Sequence, residues 1–185
     1  MGGVARSSSR LRAEDWLVAA LDLMVDDGIA GVKIQRLCDR LGVTKGSFYW
    51  HFSDLDAFLG ELASRWAEDS AQIKTTLGDE AAPETSLLDA MRVFADRRNL
   101  NLARAMRDWA QTDPRARAAI RQADQAVFER VRELFVADGF DDADAEVRAK
   151  ILVYTGIGFA HVGPLGGRPS AQEQLVETME ILTRR

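Results

Sequence analysis

Apolar side chains recur every three or four residues along almost the whole chain. No stretch shows the apolar–polar alternation, bounded by turn residues, that a half-buried strand requires. Such a chain buries its apolar surface by packing helix on helix, so the expected fold is all-α, with about nine helices. At 185 residues, 46% hydrophobic and 29% charged, it has core material for one domain or for a small domain fused to a larger one. The same balance excludes disordered and collagen-like chains.

The first helix is predicted over Leu11 to Asp27, with Trp16, Leu17, Ala20, Leu21 and Met24 at helical spacing and Gly28 as its stop. Gly31 separates it from a short helix, Ile34 to Leu41, that ends at Gly42. Thr44 is then a natural N-cap for another short helix through Phe52. Ser53 with Asp56 is expected to cap a fourth, whose stripe of Leu55, Phe58, Leu59, Leu62, Trp66 and Ile73 is long enough to link two regions before a loop at Gly78 to Pro83. A fifth opens at Ser86 and carries Met91 and Phe94, and a sixth carries Leu102, Met106 and Trp109. The seventh has Asp113 as cap and Pro114 at its first position, where a missing N–H costs nothing.

The eighth helix, about Ala143 to Val162, is unusual because Ile151, Leu152, Val153, Tyr154, Ile157 and Phe159 leave little polar face over two turns. Such a helix must be covered on all sides, and in a chain this small a second copy is expected to cover the side that its own core does not. Gly156 and Ala160, four residues apart, leave room for a partner helix. A ninth helix, opened by Ser170 and Glu173, aligns Leu175, Met179 and Leu182.

Several function classes fall away. One cysteine, Cys38, and two histidines, His51 and His161, supply neither a disulfide framework nor a Cys/His zinc site, and no metal or cofactor is expected. The longest apolar run, Ile151 to Leu165, is broken by His161 and Pro164 and falls short of a membrane span. Met1 to Ser9 lacks the apolar core of a secretory signal, so residues 1–10 are expected to be a flexible arm on a cytoplasmic protein. No activated nucleophile or paired acid and base is visible from spacing, which places an enzyme last. Net charge is −5, yet residues 1–52 carry seven basic against six acidic side chains while the remainder carry 17 against 23. A polyanion would be met by the N-terminal quarter.

That quarter holds the motif that carries function. Ile34 to Phe52 reads as helix, glycine turn, helix, with Leu37, Leu41 and Val43 set to face Phe48 and Phe52. Burying Phe48 and Phe52 leaves Gly46, Ser47 and Trp50, flanked by Lys45 and Tyr49, free to enter a major groove. Lys45 can donate to guanine or phosphate, Ser47 to either base edge, and Tyr49 and His51 to phosphate, while Trp50 can touch a thymine methyl. Lys33 and Gln35 sit at the start of the preceding helix. Arg36 and Arg40 are open between a phosphate contact and a solvated face beside Asp39, and Arg6, Arg10 and Arg12 between a phosphate grip and a soluble tail. Cys38 reads as a buried hydrophobe.

Residues about 11 to 62 resemble the DNA-binding domain of the TetR family of transcriptional regulators. The marks are the Gly31-Val32 step, the turn Leu41-Gly42-Val43-Thr44-Lys45-Gly46-Ser47, and Phe48-Tyr49-Trp50-His51-Phe52 followed by Leu55 and Leu59. The Tyr-Trp-His run is similar to that of the tetracycline repressors in that family, whose recognition helix contacts DNA with residues corresponding to Lys45, Gly46, Ser47, Tyr49, Trp50 and His51. Two departures are that Lys33-Ile34 offers no capping hydroxyl and that Cys38 stands where alanine is usual.

With this resemblance the candidate DNA contacts are Lys33, Gln35, Thr44, Lys45, Gly46, Ser47, Tyr49, Trp50 and His51. The division implied is an arm (1–10), a three-helix helix-turn-helix domain (11–53) and a helical domain (54–185) that binds a small effector and dimerises through its last two helices. Candidate pocket residues are Trp66, Phe94, Met106, Trp109, Phe128 and Tyr154. Candidate interface residues are Tyr154, Gly156, Ile157, Ala160, His161, Leu175, Met179 and Leu182. The function implied is a dimeric repressor released from a pseudopalindromic operator by a small molecule. The competing reading is a DNA-binding regulator with no effector, controlled by abundance or by a protein partner.

Overall fold

The computed structural model describes residues 11–76, 96–163 and 171–184. Among the described residues there are eight α-helices and no strand, as the apolar spacing leads one to expect. They are α1 (Ala13–Asp27), α2 (Ile34–Leu41), α3 (Lys45–His51), α4 (Leu55–Thr76), α5 (Arg97–Ala110), α6 (Pro114–Ala137), α7 (Asp142–Val162) and α8 (Ala171–Leu182), with a single 3₁₀ turn at Ile29–Gly31. The helix expected from Ser86 through Phe94, the arm at 1–10 and the cap Ser170 lie outside the described residues. The chain divides into two compact units, Met1–Leu62 and Ala63–Arg185, with the boundary inside α4.

In the first unit, α1 contributes Trp16, Leu17, Ala20 and Met24 to a core completed by Leu37, Cys38, Phe48, Phe52, Phe58 and Leu62, all buried. Each large apolar side chain removed from water contributes roughly 1.5–3 kcal/mol, so a handful of aromatic residues holds these short helices together. α1 ends at Gly28, whose φ of 65° is open to glycine and strained for other residues. Gly31 is confined differently: a Cβ there would lie 2.7 Å from the Cβ of Asp27.

One cap differs from expectation. α4 begins at Leu55, so Asp54 rather than Ser53 is at the capping position, and its carboxylate accepts from the Ala57 N–H at 2.8 Å. Ser53, one residue too early to reach that N–H, donates instead to Asp54 at 3.3 Å. The Ala57 hydrogen bond is the main reason that the Asp54 carboxyl titrates below its ordinary value.

In the second unit, α6 packs on α5 and α7, and α7 packs on α8. The core joins Val131, Leu134 and Phe135 of α6 to Phe140, then to Ala145, Ala149 and Leu152 of α7 and to Met179 and Leu182 of α8. The α6 start is as expected: Asp113 accepts from the Arg115 N–H at 2.8 Å, with Pro114 in the first position. Hydrogen bonds from the Arg115 guanidinium, aided by that backbone bond, hold the Asp113 carboxyl down at about 2. Asp96 and Asp141 cap α5 and α7 in the same manner. Arg107 of α5 grips Asp124 of α6 through both terminal nitrogens, one at 3.0 Å. Arg148 of α7 lies 4.1 Å over the Phe140 ring and donates to the Leu182 carbonyl at the end of α8.

Candidate nucleic-acid interface

The α2–α3 turn is built by Gly42, at φ 69° and ψ 35°, the left-handed conformation that a tight reversal after a helix needs. The following Val43 N–H reaches back 3.0 Å to the Cys38 carbonyl and closes the end of α2. α3 then starts at Lys45 with Thr44 before it, although the Thr44 hydroxyl makes no capping bond; Ser47 N–H instead bonds the Thr44 carbonyl at 3.0 Å.

α3 is anchored by rings. Phe48 is fully buried, edge-on to Trp16 of α1 at 5.4 Å and to Phe58 of α4 at 5.5 Å, and Phe52 meets Phe58 at 4.8 Å. With Phe48 held from two sides, the opposite face is fixed outward: Tyr49 is 56% and Trp50 65% exposed, and Thr44, Lys45 and Gly46 are exposed beside them. Ser47 and His51 are half-buried, and the His51 ring stands edge-on to Trp50 at 4.8 Å. Leu11, Gly46, Ser47, Trp50 and His51 share one shallow groove. A Cβ on Gly46 would meet nothing nearer than the Thr44 hydroxyl at 3.7 Å, so nothing inside the chain requires glycine there.

Lys33 and Gln35 are exposed at the start of α2, with Gln35 donating to Asp39 at 2.8 Å. The same helix turns its arginines toward α1. Arg36 pairs with Asp27 at 2.6 Å, and Arg40 with Asp22 at 3.2 Å and Asp26 at 3.6 Å. These pairs, bridging nine to eighteen positions, are neither of the two alternatives left open for Arg36 and Arg40 by local spacing, a phosphate contact or a solvated face beside Asp39. Cys38 is buried, and loss of hydration pushes its thiol pKa up, so it stays a neutral core group.

The second unit distributes its candidates unevenly. Met106 and Trp109 are buried, and Trp66 and Phe128 are half-buried, with Phe128 packed against the core; Phe94 lies outside the described residues. Among the described residues the buried Trp66 indole N–H has no acceptor. Tyr154 is not a lining residue of this chain's interior: it is 69% exposed, because α7 turns Ala145, Ala149, Leu152 and Ala160 toward the core and Tyr154 projects from the far side.

Of the interface candidates, Tyr154 and His161 are exposed and Gly156 and Ile157 half-buried, whereas Ala160, Met179 and Leu182 are buried within the chain itself. Met179 and Leu182 are core residues because α8 lays that face on α6 and α7; the side chain of Leu175 lies outside the described residues. Val147, Ile151 and Val162, absent from the expected interface, complete an exposed apolar stripe with Tyr154 and Gly158 at successive steps of four, three, four and four residues. Among the described residues no helix is long and apolar enough to cross a membrane, and no group of three or more His, Cys, Asp or Glu side chains is placed to hold a metal.

The sequence profile of "Bacterial regulatory proteins, tetR family" matches residues 17–62, which holds α1 to α3 and the start of α4. The chain is 29% identical to the class C tetracycline repressor protein of Escherichia coli over 154 residues, 81% of this chain and 65% of that protein. It is 38% identical over 55 residues to the class A protein from transposon 1721 of the same organism, covering 30% of this chain and 26% of that one. The chain thus spans less than two thirds of the length of these curated relatives. A TetR regulator from Legionella pneumophila has the same fold over 96% of this chain and 98% of its own, with a TM-score of 0.76 at 12% identity. A transcriptional regulator from Rhodococcus sp. Rha1 superposes with a TM-score of 0.71 at 21% identity, over 94% of both chains. Residues 17–62, which hold the helix-turn-helix, thus match the profile of the tetR family of bacterial regulatory proteins, and the all-helical fold is shared with solved regulators over nearly the whole chain.

Proposed function

We propose that the chain is a homodimeric, sequence-specific DNA-binding transcriptional regulator, and that it represses from a pseudopalindromic operator until a small molecule releases it. The observation that carries the DNA reading is α3: a short helix riveted by Phe48 that presents Lys45, Gly46, Tyr49 and Trp50 to solvent. Lys45 and Ser47 are the base-edge donors; Lys33, Thr44, Tyr49 and His51 serve phosphate, and Gln35 is a further base contact. Glycine inside a helix costs roughly 0.5–1 kcal/mol relative to alanine, and Gly46 has open space around it, which accords with a surface outside the chain approaching there.

The second copy is supported by the stripe of Val147, Ile151, Tyr154 and Gly158 on α7, whose apolar groups face water in a single chain. Two copies would set their recognition helices on half-sites roughly 34–36 Å apart, or a multiple of that. The effector reading is supported by Trp66, whose buried indole N–H has no acceptor among the described residues, in the unit that also buries Met106 and Trp109. A coupling of roughly 1–3 kcal/mol would change operator affinity by about 5–150-fold, and DNA would weaken the effector by the same factor.

Selection of bound sequences from a random duplex library tests this reading. The expected result is an enriched palindrome with two half-sites, bound by the native chain and lost in Tyr49→Ala while the dimer persists. Absence of any enriched sequence would overturn the reading.

A further inference from the structure

We infer that Leu11 is a further DNA-contact residue of this chain: with Trp50 it lines a groove that takes one deoxyribose of the duplex backbone, where a 2′-hydroxyl has no place. The inference rests on the DNA reading of α3. It extends that reading to a residue outside 17–62, where the family profile matches, and from phosphates and base edges to the sugar.

The groove is lined by Leu11, Gly46, Ser47, Trp50 and His51 and has a volume of about 260 Å³. Clefts that enclose a whole small molecule run to roughly 300–1,000 Å³, so a shallow groove of this size suits one unit of a longer polymer. Gly46 and Trp50 belong to the exposed face of α3, which makes the groove continuous with the surface that meets a duplex. Its lining is held in place. The His51 ring stands edge-on to the Trp50 indole at 4.8 Å and 6.4 Å from the buried Trp16 ring of α1. Arg12 is extended (φ −101°, ψ 161°) and its N–H donates to the Asp15 carboxylate at 2.7 Å, which fixes Leu11 just ahead of α1.

The chemistry matches a nucleotide's backbone, in which an anion alternates with a C–H-rich ring. The groove sets the His51 imidazole, a phosphate donor on this reading, beside the leucine methyls and the indole, on which the sugar ring packs. A leucine side chain offers no hydrogen-bond partner, so a 2′-hydroxyl pressed against Leu11 is desolvated without compensation. That hydroxyl is the group by which a protein tells RNA from DNA at a given site.

The test is a ribonucleotide scan. The selected duplex is prepared with a single ribonucleotide at each successive position of the half-sites, and in a parallel set with uracil for each thymine; native chain, Leu11→Ala and Leu11→Met are titrated onto each. Native chain should lose at least about fivefold in affinity at one ribonucleotide position per half-site, the loss expected for a hydroxyl buried without a partner. Leu11→Ala should bind the all-deoxy duplex roughly threefold to tenfold more weakly, from lost apolar contact, with an unchanged salt slope because no charge is removed. At the sensitive position its ribonucleotide penalty should fall below about twofold, whereas Leu11→Met keeps the penalty. Comparing the chains on one duplex cancels any change in the duplex itself. No sensitive position, or a penalty equal in Leu11→Ala, overturns the inference and leaves the α3 reading standing. A uracil change felt by native chain and not by Leu11→Ala puts a thymine methyl in the groove and overturns the sugar assignment. A native chain that binds no duplex overturns both readings.

Discussion

At the scale of single residues, three glycines show how differently one residue type acts. Gly31→Ala places a Cβ 2.7 Å from the Cβ of Asp27, which cannot swing aside, so the variant should lose about 1–3 kcal/mol in a denaturant titration. Gly46→Ala meets no such obstacle and should raise stability by roughly 0.5–1 kcal/mol while weakening operator binding, the signature of a position shaped by something outside the fold. A gain in stability with unchanged binding would remove Gly46 from the interface. Asp113 gives a pH-dependent case. Its carboxyl pKa is lowered from 3.8 to about 2, so the native state favours the ionised form. Its contribution is complete above about pH 4 and drains away as pH falls toward 2. Asp113→Ala should therefore cost about 1 kcal/mol at neutral pH, with the deficit relative to the native chain shrinking as pH falls from about 4 through about 2 in melts across that range.

At the scale of helices, α7 decides most. Its two sides make opposite predictions: Ile151→Glu, on the exposed stripe, should yield a folded monomer by sedimentation, whereas Leu152→Glu, one position on and buried, should unfold the second unit. A dimeric Ile151→Glu protein would move the interface elsewhere. The sequence made α7 recognisable as a helix needing cover on every side, but not which side is core, since periodicity is silent where nearly all residues are apolar. That is why Tyr154, which is exposed, stands among both the pocket and the interface candidates, and why Met179 and Leu182, offered for an interface, lie in the core. The stops at Gly28 and Gly42, the Asp113-Pro114 start and the outward face of α3 were legible because each depends on neighbours within a few residues. Asp54 displaced Ser53 as a cap because helix starts are read from sequence only to within a residue or two. Arg36 and Arg40 were undecided because their partners lie on another helix.

Across the whole molecule, charge is divided as sharply as structure. The 53–185 segment carries six more acidic than basic side chains, while residues 1–52 lean basic by one, so on the proposed function a duplex would be met by the N-terminal quarter and repelled along the rest. If each copy makes three or more phosphate contacts, affinity for the selected duplex should fall roughly a thousandfold between about 50 and 200 mM salt, read by fluorescence anisotropy. The two ion pairs between α1 and α2 bear on the same balance. Every sequence offers the same phosphates, so a bare cation tightens the hold on decoy sites as much as on the operator. On the proposed DNA-binding reading, Arg36 and Arg40 closed on Asp27, Asp22 and Asp26 would add less to the grip on the roughly 10⁶–10⁹ competing positions of a genome. Under the proposed function the consequence is numerical: shorter stays on wrong DNA would mean that fewer copies per cell suffice to keep one operator filled.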